Sequence, residues 1–339
     1  MPGAAAPRLD IPALAVGDAV QHSLRVADRA EKQTGNGDPY VVLSLANASG
    51  SIDTEPIWSN LLAEGWAEGA DRGAVVQAIG QVSLYRGKRQ LRLSRPVRPL
   101  PKEQLDLREF LPHIAEEPAR LWAKLDEMRR AIGAESLRRV LALFFDDESF
   151  RLAFERTPAS INGHHCMVGG LLLHVWEVAY IARGIAKAMR ANEDLVIAGV
   201  LLHDIGKVEA YDVSWDGFVR TPAGNCIEHV VLGAMMLDER LRRAAAAAGA
   251  PVVSESQRLE LVHGILSHHG KLEFGSPVRP LTLEAEIVHH ADDASAKSAD
   301  VADASADADA FRGGAEFADR SRLWRVEKRA IWHPPHRWD

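Results

Sequence analysis

Ten of the 14 histidines fall between residues 164 and 290: His164, His165, His174, His203, His229, His263, His268, His269, His289 and His290. Two aspartates stand close to them, Asp204 directly after His203 and Asp292 two residues after His290. In chain order, His174, His203-Asp204, His229, His268-His269 and Asp292 make the series H…HD…H…HH…D. A lone histidine on an apolar helix face is ordinarily a satisfied core residue. A run of imidazoles mixed with carboxylates is costly to bury unless each has a partner. Imidazole and carboxylate without thiolate suit borderline or harder divalent ions such as Mn, Co, Fe, Zn or Mg. One aspartate can bridge two ions, and two ions about 3.5–4 Å apart are a common device for phosphodiester hydrolysis.

These residues need helices to position them. Helical periodicity is expected over Glu117–Ile132, Glu135–Phe145, Val168–Met189, Asp194–His203, Ile227–Leu241, Ser254–Ser267 and Thr282–Lys297. Ser254 with Gln257 three residues on is a capping-box signature. Neighbouring residues on a helix splay by about 100°, so His203 and Asp204 can share an ion only where their helix ends. Gly206 is expected to end it as a C-cap. His174 then lies within one long apolar helix, His229 in the first turn of another, His268-His269 at the end of a third and Asp292 in a fourth. Ala244–Ala248 and the Ala/Asp/Ser stretch 294–310 are low in complexity but compatible with helix.

The ordered series resembles the HD superfamily of metal-dependent phosphohydrolases. Its flanking words narrow the likeness. His164-His165-Cys166-Met167-Val168-Gly169-Gly170, Leu202-His203-Asp204-Ile205-Gly206-Lys207, Leu266-Ser267-His268-His269-Gly270-Lys271 and Gly275-Ser276-Pro277 are similar to YhaM-type 3′→5′ exoribonucleases. That family joins an N-terminal OB-fold to a C-terminal HD domain. The likeness runs from about residue 12 to about residue 335. It implies one ion on His174, His203, Asp204 and Asp292. It implies a second on His229 and His268, with Asp204 bridging and His269 as a further ligand. Catalytic roles fall on His203, Asp204 and Lys207, the lysine facing the phosphate or orienting Asp204. His164 and His165 match a paired histidine of the family, either touching substrate or capping a helix. His263 and His289 read as structural, and His290 stands where the family has an apolar residue. The family often carries a second aspartate three residues after the terminal one. Here Ser295 replaces it and Asp293 adds a carboxylate beside Asp292, which keeps the register of the ligand.

The first hundred residues have another character. Ser23–Ala27, Tyr40–Leu45, Ser51–Trp58, Ala74–Val82 and Gln90–Leu93 read as short strands, with strong turn chemistry at Gly35-Asn36-Gly37-Asp38-Pro39. Five short strands in about 80 residues predict a small OB-type barrel. Between Tyr85 and Arg98 stand Arg86, Lys88, Arg89, Arg92, Arg95 and Arg98 with no acid among them. Such cations protect an edge strand from aggregation; on an OB groove they also bind phosphate while aromatics stack bases. Tyr40, Trp58, Tyr85, Arg86, Lys88, Arg89 and Arg92 are the expected nucleic-acid contacts. Tyr85-Arg86-Gly87-Lys88-Arg89-Gln90-Leu91 also resembles a strand turn of the family.

The expected fold is an N-terminal all-β OB-fold barrel followed by an all-α HD-domain helical bundle. Its parts are a flexible tail at 1–11, the OB domain at 12–100, a helical connector at 101–160, the HD domain at 161–310 and a basic, aromatic tail at 311–339. That tail holds Arg320, Arg322, Trp324, Arg325, Lys328, Arg329 and Trp332. The expected activity is 3′→5′ hydrolysis of single-stranded RNA, and of single-stranded DNA, to nucleoside 5′-monophosphates. Two divalent ions (Mn, Co or Mg) would serve it, and a homo-oligomer is compatible with it. Two rivals stay open: an HD phosphohydrolase of small nucleotides, and a non-enzymatic nucleic-acid binder with an HD-like module. Against a cyclic-dinucleotide substrate, no Gly-Tyr-Pro follows the histidines.

In 339 residues, 40 Lys and Arg stand against 47 Asp and Glu, a net charge of −7, and 47% of residues are hydrophobic. This excludes a wholly disordered chain and an obligate polycation, but not nucleic-acid binding, which depends on local charge. Cys166 and Cys226 are too few for a disulfide framework. No signal-peptide pattern opens the chain, and no run approaches the roughly 18 apolar residues of a membrane span. The expected location is the cytoplasm.

Overall fold

The computed structural model describes residues 9–103, 105–307, 310–311, 314–318, 326 and 328–334. The chain divides into two compact units, one ending at His113 and including Ser214–Gly217, the other taking the rest from Ile114 onward.

The first unit is a barrel. Its strands are β1 (Ala19–Gln33), β2 (Pro39–Asn47), β3 (Gly50–Asp53), β4 (Ile57–Trp58), β5 (Val75–Tyr85), β6 (Lys88–Leu93) and β7 (Arg98–Leu100), with the short helix α1 (Ser59–Ala63) after β4. The sheet runs β3-β2-β1-β5-β6, all antiparallel. A parallel bridge between Thr54 and Leu91 brings its two edges together. Antiparallel neighbours with one parallel closure are the OB arrangement. Strand alternation fills the interior with Leu24, Leu43, Leu45, Val76, Ala78 and Leu91, all fully buried. β1 is far longer than the five residues expected, because it pairs with β5 through its first half and with β2 through its second. A register shift between Val26 and Asp28 bends it between the two partners. Residues 9–11 are not a loose tail. Ile11 is 3% exposed and packs in the barrel core, and Asn47 Nδ2 donates to the Leu9 carbonyl at 2.7 Å.

The second unit is helical: α2 (Pro118–Ala131), α3 (Glu135–Phe145), α4 (Glu148–Arg156), α5 (Gly170–Met189), α6 (Glu193–His203), α7 (Lys207–Ala210), α8 (Pro222–Cys226), α9 (His229–Ala248), α10 (Glu255–Ser267) and α11 (Leu283–Ala306). One hairpin interrupts them, β8 (Tyr211–Ser214) and β9 (Gly217–Arg220). The residues of α2–α4, expected as a connector, share one core with α5 and α6: Leu121, Leu125, Phe144 and Phe154 pack with Leu171, Val175, Val178 and Leu201. The capping box at Ser254 and Gln257 forms with both of its hydrogen bonds. α9 and α11 run on through the alanine-rich stretches, which hold no Gly or Pro before the helix ends. No helix among the described residues is long and apolar enough to cross a membrane.

Gly206 does not act as the expected left-handed cap. Asp204 caps α6, and Gly206 takes right-handed helical angles (φ −67°, ψ −18°) as the chain rolls into α7. Its requirement for glycine is spatial. A Cβ there would lie 2.0 Å from the His229 carbonyl and 2.4 Å from the Gly233 amide. The missing side chain lets α9 close on the α6–α7 turn and brings His229 up to Asp204.

The C-terminal residues that are described fold back on α11. Ala310, Ala318, Val326 and Ile331 form a small core with Val301 and Ala304. Phe317 bridges Trp332, their rings stacked at 6.4 Å. Arg320, Arg322, Trp324 and Arg325 lie outside the described residues.

Candidate metal centre and nucleic-acid face

Four helix termini and two mid-helix positions converge on Asp204, which is fully buried. Its two oxygens face different partners. Oδ2 lies 3.2 Å from His203 Nε2 and 3.5 Å from His174 Nε2. Oδ1 lies 3.5 Å from His229 Nε2 and 3.7 Å from His268 Nε2. Asp292 joins the first group, with Oδ1 3.0 Å from His174 Nε2 and 3.9 Å from His203 Nε2. The carboxylate of Asp204 thus stands between two sets of imidazoles, one oxygen to each.

The other nitrogen of each ring is fixed from behind. His203 Nδ1 donates to the Val200 carbonyl at 2.6 Å and His268 Nδ1 to the Ile265 carbonyl at 2.7 Å. Each of these acceptors lies three residues back at a helix C-terminus, where carbonyls lack intrahelical donors. His229 Nδ1 pairs with the Glu228 carboxylate at 3.0 Å. His269 Nδ1 donates to the Phe274 carbonyl at 2.7 Å. His174 Nδ1 meets Ser295 Oγ at 3.1 Å, and Ser295 donates onward to Glu177 Oε2 at 2.8 Å. With the proton held on Nδ1, every Nε2 presents a lone pair inward, the usual outer support of a metal-binding histidine.

These inward atoms have no hydrogen-bond partner. Nε2 of His174, His203, His229 and His268 and Oδ1 of Asp204 are buried and unpaired. Leaving one buried polar group unsatisfied costs about 1–3 kcal/mol, so five together call for a common partner. Three further features test whether divalent cations fit. The ligand atoms of His174, His203 and Asp292 lie within 4.8 Å of one another, and so do those of His229, His268 and His269. The donors are imidazole nitrogen and carboxylate oxygen without sulfur, a set that suits borderline divalent ions. The set fits. His164, His165 and His174 also come within this distance, but His174 has one inward lone pair to give, so that group competes with the first set.

Electrostatics favour the neutral imidazole at His174, His229 and His268 and the protonated one at His203. Burial, aided by the nearby Lys207 charge, holds His229 well below the usual histidine range; burial also lowers His174 and His268. Burial with neighbouring His174 pushes His164 down to about 2. Burial opposes charge at Asp204 too, but the Lys207 ammonium and His203 outweigh it and keep the carboxyl well below its ordinary value. His203 is raised, because Asp204 outweighs its burial. Lys207 is itself buried, with Nζ 2.6 Å from Asp204 Oδ2, and is held above the normal lysine value once Asp204 overcomes desolvation. It also lines a cavity of about 270 Å³ together with His164, Asp292, Asp293, Lys297 and Arg329.

Of the other residues, His269 stands beside His229 and His268. Asp293 pairs with Lys297 at 2.9 Å. His263 Nε2 accepts from the Leu281 amide, and His289 Nδ1 donates to the His268 carbonyl. His165 takes a positive φ of 48° and meets Glu177 at 3.3 Å, inside the Glu177–Ser295–His174 chain. Sequence reasoning singled out Ser295 only as a departure and did not find Glu177 or Glu228. Ser295 had one legible signal, its place one turn after Asp292. Ser295→Ala is expected to lower metal affinity about 10- to 100-fold, the usual effect of losing an outer-shell partner, with the fold intact. Isothermal titration of the metal-free protein with Mn²⁺ checks it.

On the barrel, Tyr40 and Trp58 pair across β2 and β4 with ring centroids 5.1 Å apart, Trp58 remaining 42% exposed. A groove of about 1050 Å³ passes Tyr40 and carries both signs of charge, Arg29 and Lys32 with Glu31, Glu64 and Glu68. Tyr85 is 58% exposed at the β5–β6 turn, with the Arg86 guanidinium 5.2 Å from its ring. The basic run is less free than its sequence implies. Lys88 pairs with Asp53 at 2.5 Å and Arg92 with Glu55 at 3.1 Å. Arg89 donates to the carbonyls of Pro12 and Leu14. Arg86, Arg95 and Arg98 have no ion-pair partner among the described residues.

A family model described as HD domain matches residues 171–297, which hold His174 through Asp292. The 3′-5′ exoribonuclease YhaM of Listeria welshimeri is 31% identical over 285 residues, 82% of this chain and 85% of that protein. YhaM of Bacillus subtilis is 30% identical, covering 83% and 86%, and YhaM of Oceanobacillus iheyensis is 28% identical, covering 94% and 95%. No solved structure gives a significant match. With the barrel, the helical HD unit and relatives aligned over most of both chains, this chain belongs to the YhaM family of 3′-5′ exoribonucleases.

Proposed function

We propose that this chain is a metal-dependent 3′-5′ exoribonuclease that releases nucleoside 5′-monophosphates from single-stranded RNA. The carrying observation is Asp204, one oxygen toward His174 and His203 and the other toward His229 and His268. His174, His203, Asp204 and Asp292 would hold one divalent ion, and Asp204, His229, His268 and His269 a second. Mn, Co and Mg fit this donor set. When bound, such ions supply Lewis-acid charge for phosphoryl oxygens and make water a stronger nucleophile at neutral pH.

The chain's own groups do the rest. Asp204 sets the spacing of the two histidine sets. The Lys207 ammonium orients Asp204 and, at the cavity wall, offers a fixed positive charge where phosphate charge develops. Arg329 and Lys297, the latter paired with Asp293, line the same cavity alongside Asp292 and Asp300. On the barrel, Tyr40, Trp58 and Tyr85 offer base platforms and Arg86 a phosphate contact. Lys88, Arg89 and Arg92 act there mainly through their barrel partners. These contacts need no ribose 2′-hydroxyl, so single-stranded DNA is proposed as a second substrate.

Linear and circularised forms of one RNA test the reading. With Mn²⁺, the linear form is expected to yield 5′-monophosphates while the circle survives. Cleavage of the circle, or survival of both, contradicts it. Trp58→Ala is expected to weaken single-stranded RNA binding about 5- to 100-fold, the usual worth of one stacking platform. Arg86→Ala is expected to reduce the slope of log K against log salt by about 0.7. Fluorescence anisotropy across a salt series measures both.

A further inference from the structure

A half-exposed phenylalanine stands at the mouth of the metal cavity, on a loop pinned on several sides. Phe274 ends the 3-10 turn Leu272–Phe274 and keeps 48% of its surface exposed while lining the cavity beside Lys207 and Asp292. Its carbonyl accepts from His269 Nδ1 at 2.7 Å, which ties the loop to the histidine cluster. Two residues on, buried Ser276 donates through Oγ to the Leu266 carbonyl at 3.0 Å and through its amide to the Lys271 carbonyl at 3.1 Å. Gly270 reverses the chain at φ +77°, where a Cβ would lie 2.3 Å from the His289 ring. These contacts fix the backbone that carries the ring. Phenylalanine is ordinarily buried. Single-strand binders offer aromatic rings to bases together with cations for phosphate; Lys271 Nζ lies over one face of the Phe274 ring, 5.3 Å from its centroid, and a base would stack on the other face or displace the lysine.

We infer that Phe274 is the stacking platform for the 3′-terminal base. It holds the terminal nucleotide so that the phosphodiester on its 5′ side meets the Lys207 wall of the cavity. Every base has a π face, so the platform accepts any terminal nucleotide and lets one site shorten RNA regardless of sequence. This inference rests on the exonuclease reading above and deepens it by assigning a residue to the departing nucleotide.

The test uses the full-length, Mn²⁺-loaded protein on two RNAs that differ only in an abasic 3′-terminal ribonucleotide. The wild type is expected to lose about tenfold or more in kcat/KM on the abasic RNA, chiefly through KM. Phe274→Leu, which keeps apolar bulk but no aromatic face, is expected to lose the same factor on the intact RNA and nothing further on the abasic one. Phe274→Tyr is expected to match the wild type on both, and metal content to be equal in all three. A wild type indifferent to the missing base, or an abasic penalty undiminished in Phe274→Leu, overturns the inference while the exonuclease reading stands. A wild type inert on both RNAs overturns that reading and the inference with it.

Discussion

Asp204→Asn is expected to lower kcat on single-stranded RNA by at least about a thousandfold, which corresponds to about 4 kcal/mol of lost transition-state stabilisation. Asparagine keeps the size of the side chain and removes its charge. Neither of its side-chain atoms can then serve as an anionic donor to both histidine sets. The buried Lys207 ammonium also loses the carboxylate 2.6 Å away. Leaving one partner of a buried ion pair alone costs about 3–5 kcal/mol, so the metal-free variant is expected to melt at a lower temperature too. Asp204→Glu keeps the charge but moves it by one methylene. It is expected to recover part of the stability and little of the activity, because a shift of about 1 Å in an active site costs about a hundredfold. Single-turnover kinetics beside thermal melts separate the two effects. A folded Asp204→Asn protein within tenfold of wild-type kcat would contradict the assignment.

Removal of divalent ions is expected to abolish hydrolysis and to destabilise the helical unit. A bound cation would engage the five buried atoms that have no hydrogen-bond partner around Asp204. An ion at a hundred times its Kd stabilises the folded state by about 2.7 kcal/mol. For a unit of this size, that is about 5–10 °C in Tm. Chelation is therefore expected to lower the helical transition by this amount, and Mn²⁺ to restore both Tm and activity. Hydrogen exchange gives the location. Protection is expected to fall at residues 203–207 and at the start of α9, and to hold in β1 and β2. An unchanged Tm in chelator, with activity intact, would contradict a cation site at these residues.

Part of this centre was legible because several of its ligands sit at helix ends, and helix ends leave marks in sequence. Ser254 caps α10, whose far end carries His268, and the apolar run before His203 stops at Asp204. What supports the ligands was less legible. His203 and His268 rest on main-chain carbonyls, which no residue type announces. Ser295 meets His174 across 121 positions of chain. Gly206 was legible as a required glycine, but the reason was α9 closing on it rather than a left-handed cap. On the barrel, the run from Arg86 to Arg98 read as an open cationic stripe, since its partners Asp53 and Glu55 lie on a strand edge that only barrel closure brings near. The hairpin β8–β9 left no strong periodicity in eight strand residues.

The central claim is that the histidines and aspartates around Asp204 hold the ions that the nuclease uses. Anomalous diffraction from crystals of the Mn²⁺-loaded protein at the manganese edge tests it most directly. The account predicts anomalous density on both sides of the Asp204 carboxylate, one peak among His174, His203 and Asp292 and the other among His229, His268 and His269. An active preparation whose crystals show no anomalous peak between these side chains would contradict it.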